Sequence, residues 1–107
     1  MSLKDKLLKK NLPSKEVTVS GNKARIRSLT GMERLEFGSL DDSDTPEAIR
    51  GRYWFIWSKA VDLGEPLSRE EFNTIFDCDF PTVFELFLAV LKLGKMDADS
   101  VEEAEKN

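Results

Sequence analysis

The sequence contains no histidine and a single cysteine, Cys78. Without an imidazole it lacks the most common general base near neutral pH, the most common zinc ligand and the usual partner of a nucleophilic serine or cysteine. A lone thiol forms no internal disulfide and builds no thiolate metal site, so Cys78 reads as a small, partly buried core residue. Asp77 and Asp79 flank it. Two carboxylates with no third ligand nearby are weak candidates for acid/base or metal chemistry, and Asp79 suits a helix cap better. Long apolar runs are missing too: Tyr53 to Trp57 spans 5 residues and Leu86 to Leu91 spans 6, against the about 20 that a membrane-spanning helix needs. The N-terminal MSLKDKLLKK has no continuous apolar segment and no small-residue cleavage site, so a secretory signal is not expected and a cytoplasmic location is. Nor is there an excess of base. With 20 acids against 16 bases and a net charge of −4, counterion release gives no global drive toward a phosphate backbone. The expectation is a non-enzymatic protein with no cofactor, no metal and no membrane or nucleic-acid partner.

What is present is ordinary globular composition, 40% hydrophobic and 34% charged, on a chain long enough for one core. The patterning predicts an α+β fold, predominantly α-helical, with a small N-terminal β-hairpin packed on about four helices. Residues 1–13 form a short basic amphipathic segment, 14–96 a single globular domain and 97–107 an acidic mobile tail. In the first segment Leu3, Leu7 and Leu8 share one side among lysines and Pro13 ends it. Between Glu16 and Arg27 the period is two: Val17, Val19, Ala24 and Ile26 alternate with polar residues, which predicts a hairpin. A loop of Gly21 and Asn22 would pair Val19 with Ala24 and Val17 with Ile26, leaving Lys23, Arg25 and Arg27 on the outer face. That basic trio could touch an anion or RNA; a solvated edge, with Glu16 as an ionic partner, is the simpler reading.

Thr30 to Glu33 fits a capping box, starting a helix to about Ser39 with Met32, Leu35 and Leu40 inward. The DDSDT stretch that follows lacks the glycine and the distal glutamate of a twelve-residue calcium loop, so it reads as a flexible acidic turn. Pro46 opens a helix to about Val61 whose stripe is Ile49, Tyr53, Ile56, Trp57 and Ala60. Of its YWFIW run, Phe55 and one tryptophan, Trp54, are candidates for an exposed protein interface. Ser68 to Glu71 gives a second capping box, with Phe72, Ile75 and Phe76 inward.

The most apolar stretch is Asp79 to Gly94, DFPTVFELFLAVLKLG. Asp79 suits a cap, Pro81 a first turn and Gly94 a stop. At about 100° per residue Val83, Phe84, Phe87, Leu88, Val90 and Leu91 make one face, and Leu86 with Leu93 widens it to roughly 220°. That exceeds what a surface helix needs. The surplus is either wrapped by the chain itself or shared with a partner, and Phe84, Leu86, Phe87, Leu88 and Leu93 are the candidates for a partner face, with Leu86 and Leu93 forming the arc left uncovered.

Several segments in order carry a family resemblance: VTVSGNKARIRSLTGMERLE, the aromatic helix, VDLGEPLSREEF, FPTVFELFLAVLKL and the closing SVEEAEKN. Together they resemble the tail assembly chaperones of long-tailed bacteriophages and prophages. The resemblance implies a non-catalytic protein that keeps the hydrophobic tape-measure protein soluble, helps gather tail-tube subunits and leaves the finished tail. It also implies a homo-oligomer, and a frameshift-extended longer product that recruits the tube protein, a chain ending at Asn107 being the short form. The reading from residues alone keeps a second class open, a small adaptor or regulatory module with weak nucleic-acid contact.

Overall fold

Residues 2–96 are described by the computed structural model, so the tail expected at 97–107 lies outside the described residues. Chain order is α1 (Leu3–Leu8), β1 (Ser14–Val19), β2 (Asn22–Arg27), α2 (Gly31–Gly38), α3 (Pro46–Ala60), β3 (Val61–Asp62), α4 (Arg69–Cys78) and α5 (Phe80–Leu93). The architecture is the expected one, mostly helical with the sheet packed on helices, β2 lying on α5 and β3 on α3. One strand is additional. Val61 leaves the helix with φ −112° and ψ 122°, and β3 pairs antiparallel with β2, placing Val61 opposite Ile26 and Asp62 opposite Arg25. The sheet order is β1-β2-β3.

The hairpin turn sits one residue earlier than expected. Ser20 and Gly21 are its centre, with φ of 50° and 79°, and both signs are those of a primed turn matched to strand twist. Val19 therefore pairs with Asn22 and Val17 with Ala24. The shift moves pairing by two residues, so side-chain parity is unchanged and Val17, Val19, Ala24 and Ile26 still face the core.

Both capping boxes form, Thr30 with Glu33 and Ser68 with Glu71. Thr45 caps α3 and Asp79 caps α5, the Asp79 carboxylate also accepting from the Thr82 hydroxyl at 2.7 Å. The α5 stop is built differently from the expected glycine turn: Gly94 keeps φ −92° and Lys95 takes the left-handed conformation at φ 58°. Lys95 N–H donates to the Lys92 carbonyl at 3.1 Å and Met96 N–H to that of Leu91 at 2.7 Å, the paired bonds of a Schellman end. Gly94 also allows a close approach: a Cβ there would lie 3.2 Å from Ser28 Cβ, a tight contact that Ser28 would have to yield to by a few tenths of an ångström.

The core centres on Ile26, Leu29, Ile56, Trp57, Phe72, Val83, Leu86 and Val90. Trp57 ties α3 to α5 by donating its indole N–H to the Val83 carbonyl at 3.2 Å. In α2 the inward residue is Phe37, whose ring lies 6.0 Å from Phe55 and 6.2 Å from Phe87. Met32 and Leu35, expected inward, are exposed, and Leu40 is half-buried. Cys78 is exposed, not core, because it falls on the outer side of the last turn of α4.

Candidate functional site

Helix α5 buries Val83, Leu86 and Val90. The buried arc is thus turned by roughly 90° about the helix axis from the densest apolar face. Leu86 is only 3% exposed, so the expected uncovered arc at Leu86 and Leu93 is covered. The hairpin is the reason: Ile26 and Lys15 sit beside Ala89 and Leu93, and burying the apolar face of the sheet requires that side of α5. Leu93 is consequently half-buried against the core.

The rotation leaves a different stripe in the open. Phe80 and Phe84 are each 40% exposed, and Leu88 is partly exposed outside the core packing. They follow at intervals of four residues and so lie one above another. Their inner edges rest on an aromatic bed. Phe80 and Phe84 stack at 6.0 Å, Tyr53 meets Phe80 edge-on at 5.6 Å, and Phe76 meets Phe80 edge-on at 5.2 Å. Tyr53 also lies 4.3 Å from Phe87, which holds Phe87 half-buried behind the stripe. Burial in this bed pushes the Tyr53 phenol above its ordinary value. Phe80 was not among the expected surface residues. Its signal in the sequence is the spacing of 80, 84 and 88, which sets Phe80 in line with Phe84 and Leu88.

Trp54 and Phe55 lie elsewhere, in a groove of about 450 Å³ along the first half of α3. Neither is freely exposed. Trp54 packs on Phe72 at 5.3 Å beneath the Arg69 guanidinium at 5.5 Å, and Phe55 lies between Phe37 and the Lys59 ammonium at 5.8 Å. The acidic turn beside the groove is held, not loose: Arg52 donates to the carbonyls of Asp41 at 2.7 Å and Ser43 at 3.2 Å. The Ser43 N–H hydrogen bond holds the Asp41 carboxyl below its usual range.

The basic trio on the hairpin is largely spoken for. Lys23 lies 3.5 Å from Glu16, and Arg27 forms a bidentate pair with Glu33 at 2.8 and 3.1 Å. Arg25 remains exposed. Among the described residues no group of three His, Cys, Asp or Glu side chains is placed to hold a metal ion, and no helix is long and apolar enough to cross a membrane.

The class these features define is a small, mostly helical α+β domain with an open aromatic face. Its fold is that of a solved phage protein, described as the structure of the bacteriophage HK97 tail assembly chaperone, with a TM-score of 0.58 and 17% identity over 86% of this chain and 98% of that one. The likeness establishes the fold, and it is the fold that the sequence resemblance led one to expect. No protein-family model and no curated protein sequence matches the chain.

Proposed function

We propose that this protein is a phage tail assembly chaperone, a non-catalytic cytoplasmic factor that shields the tape-measure protein and helps bring tail-tube subunits to it. The observation that carries this is the open Phe80, Phe84 and Leu88 stripe on a domain with the HK97 chaperone fold. A client made of amphipathic helices needs an apolar surface beyond what the chaperone's own core uses. This stripe is such a surface. It replaces Leu86 and Leu93 as the client face, with Phe84 and Leu88 retained from the earlier candidates and Phe87 supporting them from below. Recruitment of the tube protein through a frameshift-extended product, and absence from the finished tail, belong to the same reading.

Coexpression with the tape-measure protein tests it. The unmodified chaperone should keep the client soluble, and Phe84→Glu with Leu88→Glu should lose that effect while remaining folded. Full client solubility with the folded double variant would place the client elsewhere. The adaptor reading with nucleic-acid contact gains no support from the hairpin, where two of its three bases are ion-paired.

A further inference from the structure

The open stripe on α5 is unevenly charged. Three exposed carboxylates gather at its Phe80 end: Asp79 precedes Phe80, Glu85 follows Phe84, and Asp77 follows Phe76, whose ring meets Phe80 edge-on at 5.2 Å. Among the described residues none of the three has an ion-pair partner. On α3, Arg50 stands one turn before Tyr53 and is half-buried, so it offsets at most one of the three charges. Lys92 lies one turn beyond Leu88 and about 12 Å along the helix from Phe84, farther than the about 8 Å over which exposed charges interact in physiological salt. The Phe80 end is therefore net negative, and the Leu88 end is bordered by a base.

The fold accounts for Asp79, which caps α5, but not for the other two acids. Asp77 occupies the last turn of α4, where no basic residue accompanies it and where the helix dipole disfavours a carboxylate. Glu85 lies past the first turn of α5, out of reach of the positive end of that helix. The rings add to the same sign. Phe80 and Phe84 are each 40% exposed, and an open aromatic face is electron-rich and attracts cations.

We propose that the stripe selects amphipathic helices whose apolar face is bordered by Lys or Arg, and seats them in one orientation, the basic border over Phe80 and Phe84 and an acidic border beside Lys92. This selectivity rests on the α5 stripe being the client face, and it names what the client must carry there.

Synthetic helical peptides and the full chain test it. Two peptides of about 18 residues share one leucine face, bordered throughout by lysines in one and by glutamates in the other. By fluorescence anisotropy at about 0.15 M salt, the lysine peptide should bind about tenfold more tightly than the glutamate peptide. Asp77→Asn with Glu85→Gln, which leaves the Asp79 cap in place, should bring the two within about twofold. Phe84→Glu with Leu88→Glu should abolish binding of both. Leu3→Glu with Leu7→Glu should leave the lysine peptide's affinity unchanged; tighter binding would make the chain's own α1 the occupant and overturn the assignment to a client.

Orientation is read by Cys78, which is exposed, is the sole thiol of the chain and stands two residues before Phe80. A third peptide carries glutamates along its first half and lysines along its second, with an activated disulfide at one end or the other. Cys78 should exchange about tenfold faster with the disulfide at the lysine end. Equal affinities of the lysine and glutamate peptides, a preference that survives the neutralised variant, or equal trapping from both ends would overturn the selectivity while leaving the stripe as the client face. Failure of the unmodified chain to bind either peptide would overturn the client face itself and the selectivity with it.

Discussion

The Arg27 guanidinium grips the Glu33 carboxylate through two hydrogen bonds of 2.8 and 3.1 Å, and the same carboxylate accepts the Thr30 N–H at 2.9 Å. One side chain thus ends the hairpin, caps α2 and fixes the angle between them. The Arg27 hydrogen bonds, ahead of the cap, hold the Glu33 pKa down to about 2 from 4.5. A carboxyl with a depressed folded-state pKa stabilises fully above its unfolded value and loses that contribution as pH falls through the folded one. Stability should therefore decline between about pH 4.5 and 2. Glu33→Gln should cost about 1–2 kcal/mol at neutral pH and flatten this acid limb. Urea unfolding at a series of pH values measures both.

Trp57→Phe removes the indole bond to the Val83 carbonyl and some buried volume. A loss of about 1–3 kcal/mol is expected, read as a lower urea midpoint with unchanged slope. A neutral result would mean that the α3–α5 contact is held by packing alone.

The turn of the α5 core face sets up a clean contrast between two residues two positions apart. Leu86→Ala should destabilise by about 2–5 kcal/mol, since Leu86 is in the core. Phe84→Ala, on the open stripe, should cost about 1 kcal/mol at most while weakening client binding. Thermal melts of the two variants side by side decide it.

Two non-glycine residues occupy left-handed backbone, Ser20 and Lys95. Ser20→Asn, giving Asn-Gly at the turn centre, should add about 0.5 kcal/mol. Lys95→Gly at the Schellman position should add roughly 0.5–1 kcal/mol. Both should raise the melting temperature without changing binding.

The local punctuation was legible in the sequence because it depends on neighbours in the chain. Thr30 with Glu33, Ser68 with Glu71, Thr45 and Asp79 all cap where their side chains allow. The hairpin face was legible for the same reason, parity surviving a shift of two. The side of α5 that faces inward was not, because it depends on where distant elements land. Val83, Phe84, Phe87 and Leu88 crowd one arc, yet the sheet claims the Leu86 and Leu93 side and its position is set by tertiary packing. In α2 the choice of Phe37 over Met32 and Leu35 has a similar origin: the pocket between Phe55 and Phe87 takes one aromatic ring. The groove was partly visible through Trp54 and Phe55, but the turn beside it is drawn in by Arg52, which donates to the carbonyls of Asp41 and Ser43 across a stretch of chain that carries no regular pattern.

The Schellman closure has one more effect. With Met96 packed against the core and its N–H tied to Leu91, the body is finished at a defined exit, where Arg34 donates to the Gly94 carbonyl. Whatever polypeptide is attached after that point departs from one fixed doorway. A substitution downstream of Met96 would therefore leave the contacts that build the body, from Ile26 to Val90, unchanged.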